Sequence, residues 1–557
     1  MAKRRSAPPR RSRVGLALVS VVALVAVALC ALSVSLMNCS SATRKSNQVT
    51  LSVAYSPEKQ QLFEELVRVF NDSKPRLRDG KRLQIVASSV SPEDMVAASG
   101  DNVYQAISPD SSIWLAEIDR QWAAKKGAEA TLVGETTRYM ISPVVIAMWQ
   151  DVAKTLGYPG KDPGWEDLLR TAAENPQFQW SHPSTNTASG LLATLAMFYA
   201  GAGITRGLTE QDATAQATLD YVARIEKTVK HYGEGELAVI QQVEQGGRAF
   251  LDAFVVQEQL VILYNMRHGG ELVAIYPREG TLWEDHPLAL LEHPDLTLEQ
   301  RLAYSQFKRF LLSKDVQMRI LRAGYRPADL TIRLDLPESP ITEANGVDPS
   351  RPYTTLQVPS ASVIAVVKNV WQYTKRKTNI YLIADVSGSM QGTKIEDAKV
   401  ALSTFLDQIA GEQERIGLVA FSSNVYEVQP LGTLAQGRQE MAQSIESLSA
   451  GGNTALLDAI DLAVTKLQDL DDTERINAIV VMTDGKENAS RTNLNALTEK
   501  LRRATQSEAR IVVFCIAYGR DADMKMLETI SSATGGFSRR GDPETIKDLY
   551  KTLSSYF

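Results

Sequence analysis

Cysteine and histidine are scarce in this chain of 557 residues, which holds three of the former and five of the latter. Cys30 and Cys39 belong to the N-terminal segment, and Cys515 sits inside the apolar run IVVFCIAYG, where it reads as a small core residue. No intramolecular disulfide can therefore staple the body of the protein, which must fold on core burial alone. His182, His231, His268, His286 and His293 show no spacing that would seat a metal on a helix face or match a zinc ligand set, so zinc chemistry is disfavoured. An excess of positive charge is missing too. The formal charge is -5, and beyond the N-terminus the basic residues form no stripe, which argues against nucleic acid as a partner. The chain also has no nucleophile elbow, no phosphate-cradling loop and no paired general acid and base at readable spacing, so it is not expected to be an enzyme.

What is present is ordinary globular composition, 44% apolar and 22% charged, in a chain too long for one hydrophobic core. The start differs. Lys3, Arg4, Arg5, Arg10, Arg11 and Arg13 precede an uncharged run from Val14 to Met37, long enough as a helix to span a hydrocarbon core of roughly 30 Å. Residues 1–13 should stay in the cytoplasm and everything after the linker 38–48 should lie outside, as a single-pass protein of the cell membrane. A retained signal anchor is the first reading. The alternative is lipidation at Cys39, because Leu36-Met37-Asn38-Cys39 followed by two serines resembles a bacterial lipoprotein cleavage site, although Met37 and Asn38 depart from its small residues. Arg10 and Arg11 lack the apolar pair that a twin-arginine signal would add.

From Val49 the chain alternates strands with helices. TLSVAY reads as a strand, and Leu62, Phe63, Leu66, Val67 and Phe70 recur at helical spacing after Ser56-Pro57-Glu58. RLQIVASS and a second Ser-Pro-Glu start at Ser91 repeat the unit, and YQAISPDSSIWLAEI repeats it again. Serine-rich turns at helix starts either cap those helices or offer free N–H groups to an anion. These segments, with ISPVVIAMWQDVAKTLGYPG, HPSTNTASGLLATLAMFYAGAG and AGYRPAD, resemble the solute-binding proteins of bacterial ABC importers, in the sulfate- and molybdate-type branch, over 49–375. The resemblance implies two α/β lobes with a ligand between them. Onto its binding turns fall Ser56, Ser89, Ser111, Ser112, Ser142, Thr187, Ser189 and Gly190, with Glu258 and Tyr276 on the later lobe. No arginine in these turns is set for a carboxylate or phosphate fork, and the solute stays open.

A stretch rich in Pro, Ser and Asp leads to one more amphipathic helix and a boundary near 376–378. Beyond it the apolar runs NIYLIAD, RIGLVAFS, NAIVVMTD and RIVVFCIAYG alternate with amphipathic helices, which predicts a doubly wound parallel sheet over 376–557, with VYEVQPL as an antiparallel edge partner. In such a sheet ligands bind beyond the carboxyl ends of the strands. Asp385 stands at such an end, and Ser387 and Ser389 follow in the turn, three hard oxygens with one charge that suit a hard divalent cation. Thr454 in GGNTALLDA and Asp484 in VMTDGKEN lie in equivalent loops. Together, Asp385, Ser387, Ser389, Thr454 and Asp484 match the metal-ion-dependent adhesion site of von Willebrand factor A domains. That resemblance implies Mg²⁺, with Mn²⁺ or Ca²⁺ as substitutes, and a protein partner donating a carboxylate to the ion. The charges of Lys486 and Glu487 read as solvated, and the acids from Asp469 to Asp472 lack the spacing of a calcium loop.

The combined expectation is a membrane-tethered extracytoplasmic binding protein that couples a solute-binding-like domain to a Mg²⁺-dependent docking domain. The alternative is the solute receptor of an ABC importer with an accessory A domain.

Overall fold

Three strand-to-helix units open the chain, and each forms where alternation gives way to helical spacing. Strand Gln48–Tyr55 pairs in parallel with Arg82–Ser89 on one side and Ala106–Ser108 on the other. The helix Gln60–Asp72 buries Leu62, Phe63, Leu66, Val67 and Phe70, the stripe expected of it, after a single 3₁₀ turn at Pro57–Lys59. Phe63 and Phe70 meet Phe307 edge-on at 6.1 and 5.2 Å, which closes the first lobe's core. The computed structural model describes residues 47–557 apart from Ala128, Pro176, Glu234, Glu508 and Ser555. The basic N-terminus, the apolar run 14–37 expected to span a membrane, Cys39 and nearly all of the linker fall outside the described residues. Among the described residues no helix is long and apolar enough to cross a membrane.

Two sheets share the first domain. The first has five strands, with Pro287–Leu291 antiparallel to both Ala106–Ser108 and Val133–Arg138. The second is organised on the long strand Met140–Trp149, which pairs antiparallel with Trp283–Glu284, Ala253–Gln257, Leu272–Ile275 and Arg326–Pro327. The chain thus leaves the first sheet at Tyr139, returns to it between Glu284 and Pro287, and crosses to the second sheet again by Arg326. The first two of these crossings place the turns after strands of both sheets around one interlobe cleft.

Asp167, in the first turn of the helix Trp165–Glu174, ties the second lobe's surface together. Its buried carboxylate takes Arg170 at 2.6 Å, Arg278 at 2.8 Å, the Gly164 N–H at 3.1 Å and Lys161. Burial opposes ionisation, but these four donors outweigh it and hold the acid at about 2. An acid depressed below its unfolded value contributes stability above pH 4 and loses it as pH falls toward 2. Asp167→Asn should therefore lower unfolding free energy by about 2 kcal/mol at pH 7, and the gap to wild type should close between pH 4 and 2 in urea titrations. A gap independent of pH would refute the assignment.

The helix Ala361–Thr374 belongs to this first domain. It buries Val363, Val367 and Trp371 at four-residue spacing, and the Trp371 indole donates to Glu226 at 2.8 Å. Four residues later the second domain begins with strand Thr378–Asp385.

That domain is one six-stranded sheet, in the order Val425–Thr433, Arg415–Phe421, Thr378–Asp385, Ile476–Thr483, Ile511–Tyr518 and Ser538–Gly541. All neighbours are parallel except the edge strand Val425–Thr433. Helices cover both faces, so Ile380, Leu382 and Ala384 enter one core while Tyr381 and Ile383 enter the other. This double burial is why the strand reads as an unbroken apolar run. The short parallel strand Ser538–Gly541, with two arginines, carries no such signal. The two domains meet through Arg376, which donates to Val229 O at 2.9 Å and Thr473 O at 2.9 Å, and through the stacked rings of His231 and Tyr556.

Candidate metal centre and interlobe cleft

Counting along the second domain's sheet, strand order reverses between Thr378–Asp385 and Ile476–Thr483, and both run out at the same end. This is the switch point where a doubly wound sheet opens a crevice. Asp385 is fully buried there: Oδ1 accepts the Ser387 N–H at 2.8 Å and Oδ2 accepts the Thr483 hydroxyl at 2.5 Å. The Ser387 and Ser389 hydroxyls stand 3.0 Å apart, and Ser389 donates to Asp484 Oδ1 at 2.6 Å. Asp484's other oxygen takes the Lys394 ammonium at 2.5 Å. Thr454 is pinned by Asn488, whose side chain accepts its N–H at 2.9 Å and whose own N–H returns to Thr454 O at 3.1 Å.

Two glycines permit this crowding. Gly452 has φ +93° and lets its carbonyl accept the Gly388 N–H at 2.9 Å. A Cβ on Gly485 would lie 3.2 Å from the Thr454 hydroxyl and 3.5 Å from that of Ser389, so both hydroxyls border one small space. Four of the five oxygen-bearing residues are buried, and only Ser389 is exposed.

The donor set fits a small hard cation. Oxygens bound to one Mg²⁺ at 2.0–2.1 Å stand about 2.9 Å apart in an octahedron, and the separations of 2.6 and 3.0 Å match such edges. Burial, with Asp484 adding to it, pushes the Asp385 acid upward, and a cation beside it would reverse that. Among the described residues no three His, Cys, Asp or Glu side chains gather as a metal cage, so a metal here depends on the hydroxyls.

Sequence reasoning did not find Lys394, Thr483 or Asn488. Thr483 and Asn488 flank Asp484 in TDGKEN and could have been suspected, whereas Lys394 is placed only by its helix. Glu487 is not a solvated charge: it accepts the Leu457 N–H at 3.1 Å and the Ala489 and Ser490 N–H groups at 2.9 and 2.7 Å, stapling the loop to a helix start.

A cavity of about 490 Å³ lies between the lobes of the first domain and is also bordered by Gln408, Arg539 and Ser554 of the A domain. Of the expected ligand residues it is lined by Thr187 and Ser189, together with Glu58, Asp110 and Glu236. Ser56 stands directly behind, its hydroxyl spent on Glu58 at 2.6 Å. Ser89 is exposed, Ser111 and Ser142 are buried, Ser112 gives its N–H to Asp285 at 2.7 Å, and Gly190 packs against the Pro183 carbonyl; none of these five lines the cavity. Glu258 and Tyr276 also lie outside its lining. Glu258 is held by Arg326 at 2.6 and 2.8 Å and accepts the Tyr276 hydroxyl, a closed buried network.

Residues 51–326 match the family model for bacterial extracellular solute-binding protein, and 379–552 match that for von Willebrand factor type A domain. The chain is a solute-binding-protein domain fused to a von Willebrand factor A domain. Both matched families are binding or adhesion modules. The chain is 29% identical over 191 residues to human inter-alpha-trypsin inhibitor heavy chain H4, covering 32% of this chain and 20% of that protein. The chain thus spans about a fifth of the length of the curated relatives it matches. Among solved structures it is similar to a von Willebrand factor type A protein from Catenulispora acidiphila (22% identity, 32% of this chain and 43% of that one, TM-score 0.29). It is also similar to an ABC transporter protein from Clostridium perfringens (14% identity, 58% and 98%, TM-score 0.41).

Proposed function

We propose that this fusion is a membrane-tethered, extracytoplasmic binding protein whose A domain docks a protein partner through a divalent cation. The observation that carries the reading is the run of contacts at the sheet's switch point from the Ser387 hydroxyl to that of Ser389 at 3.0 Å and on to Asp484 Oδ1 at 2.6 Å. Asp385, Ser387, Ser389, Thr454 and Asp484 would hold the ion, Mg²⁺ by preference and Mn²⁺ or Ca²⁺ as substitutes. The bound ion would supply a Lewis-acid anchor for a carboxylate oxygen. Asp385 fixes the turn through the Ser387 N–H, Asn488 fixes Thr454, and exposed Ser389 marks the side from which a partner can approach. Basic residues before an apolar 14–37 segment support the membrane tether, with a lipid on Cys39 as the alternative attachment.

An array of glutamate- and aspartate-bearing peptides, probed with the protein in Mg²⁺ and again in EDTA, tests the docking reading. Binding that requires Mg²⁺ and vanishes in Ser387→Ala protein is expected, and equal binding in EDTA sinks it. The interlobe cavity favours a second reading, the solute receptor of an ABC importer with an accessory A domain. Gln408 and Arg539 of the A domain line that same cavity, which links its contents to the docking module.

A further inference from the structure

We infer that the interlobe cleft takes an organic cation, an alkylammonium or guanidinium solute, and not an oxyanion. The inference rests on the reading of the first domain as a solute receptor and names the class of solute. A volume of about 490 Å³ suits a small molecule. The charged residues along its wall are five acids, Glu58, Glu93, Asp94, Asp110 and Glu236, against one base, Arg539. The acids come from both lobes, so closure brings carboxylates together around whatever lies between them.

Two donors that an anion would use, the Ser56 hydroxyl and the Lys59 ammonium, are already committed. The Ser56 hydroxyl, at the start of the first helical turn, gives its proton to Glu58 at 2.6 Å, so a carboxylate already occupies that oxyanion position. Lys59 is buried, but its ammonium points to Pro109 O at 2.7 Å and Ser108 Oγ at 3.4 Å. Glu236 is aimed by Gln257, whose main-chain and side-chain N–H groups each reach one carboxylate oxygen at 2.8 Å. Asp110 is fixed by the Ser111 N–H and the Trp114 indole, both at 2.8 Å.

A second, independent sign of a ligand comes from unpartnered polar atoms. Ser189 lines the cavity, is 1% exposed, and its hydroxyl has no hydrogen-bond partner among the described residues. Deeper in the same cluster, both oxygens of buried Glu284 and both ring nitrogens of buried His286 lack hydrogen-bond partners among the described residues. The His286 ring lies 3.9 Å from Glu58 Oε1 and 3.9 Å from Glu284 Oε2, too far for hydrogen bonds. Burial, with Lys59 adding to it, lowers the basicity of that ring, so it adds no positive charge to that of Lys59. Burial pushes Asp110, Glu236 and Glu284 upward, neighbouring carboxylates add to it, and the one buried ammonium among them, Lys59 at 3.9 Å from Glu58 Oε1, only partly offsets the effect on Asp110 and Glu284. A metal ion is the poorer occupant, since no three acidic or histidine side chains in the described chain converge on one point. Carboxylates spread along a wall instead match several N–H donors on an extended cation.

Isothermal titration of the purified full-length protein with spermidine, putrescine, agmatine and arginine, and separately with sulfate, phosphate and citrate, decides the matter. The expected result is binding of at least one cation, weakened about 10–100-fold in Glu236→Gln and in Asp110→Asn protein, as loss of a charged hydrogen-bond acceptor predicts. Circular dichroism confirms that each variant is folded, and either variant alone suffices for the test. Binding of an anion but no cation, or cation binding unchanged in both folded variants, overturns the inference while leaving the receptor reading intact. Binding of neither class overturns the receptor reading and the inference with it.

Discussion

Ser387→Ala combined with Ser389→Ala is expected to lower divalent-cation affinity at least about 100-fold, since even partners one shell removed from a metal contribute 10–100-fold. Two of the three hydroxyls of the site disappear, and Asp484 loses the 2.6 Å hydrogen bond that orients one of its oxygens. The fold should survive. Asp385 keeps its bonds to the Ser387 N–H and Thr483, and neither serine side chain belongs to the two cores that cover the sheet. Mn²⁺ titration followed by electron paramagnetic resonance reads the affinity directly. Lys394→Ala provides the opposite control: its ammonium sits on Asp484 Oδ2 at 2.5 Å and competes for that oxygen, so its removal should tighten Mn²⁺ binding. A double variant that still binds Mn²⁺ like wild type would remove the basis for cation-mediated docking.

Arg326→Ala is expected to destabilise the first domain by about 3–5 kcal/mol, the penalty for leaving a buried carboxylate without its partner. Glu258 is 0% exposed and both its oxygens face the guanidinium, with Tyr276 as the third member. Arg326 also covers the Trp283 ring at 5.3 Å, so packing is lost along with charge. Replacing both partners, as in Arg326→Met with Glu258→Leu, should recover most of the loss because no charge is then stranded. Urea denaturation of the two single variants and the double variant gives the coupling energy. Simple additivity, with the double variant as unstable as the sum of the singles, would show that the pair is not the source of the effect.

These two sites differ in how legible they were. The A-domain oxygens announce themselves because three lie within five residues at the end of an apolar strand, and the other two sit at strand-end loops of the same periodic pattern. Sheet topology then has little freedom in where to put them. The buried network of Glu258, Tyr276 and Arg326 was only half visible. Glu258 and Tyr276 were picked out as residues for the ligand, whereas Arg326, which engages both, reaches them from a strand that returns to the second sheet after two helices of the first lobe. No local spacing marks such a pairing.

The sequence by itself determined the two-part α/β organisation, the helix stripes such as Leu62 to Phe70, the doubly buried strands of the A domain and its hydroxyl-rich turn, because periodicity and turn chemistry are local properties of a chain. Only the tertiary structure decided the character of the cleft. Glu58, Asp110, Glu236 and Glu284 come from four separate segments, and each is unremarkable where it stands in the chain. Their meeting depends on two sheet crossings, and burial among like charges is a property of that meeting and of none of the segments alone.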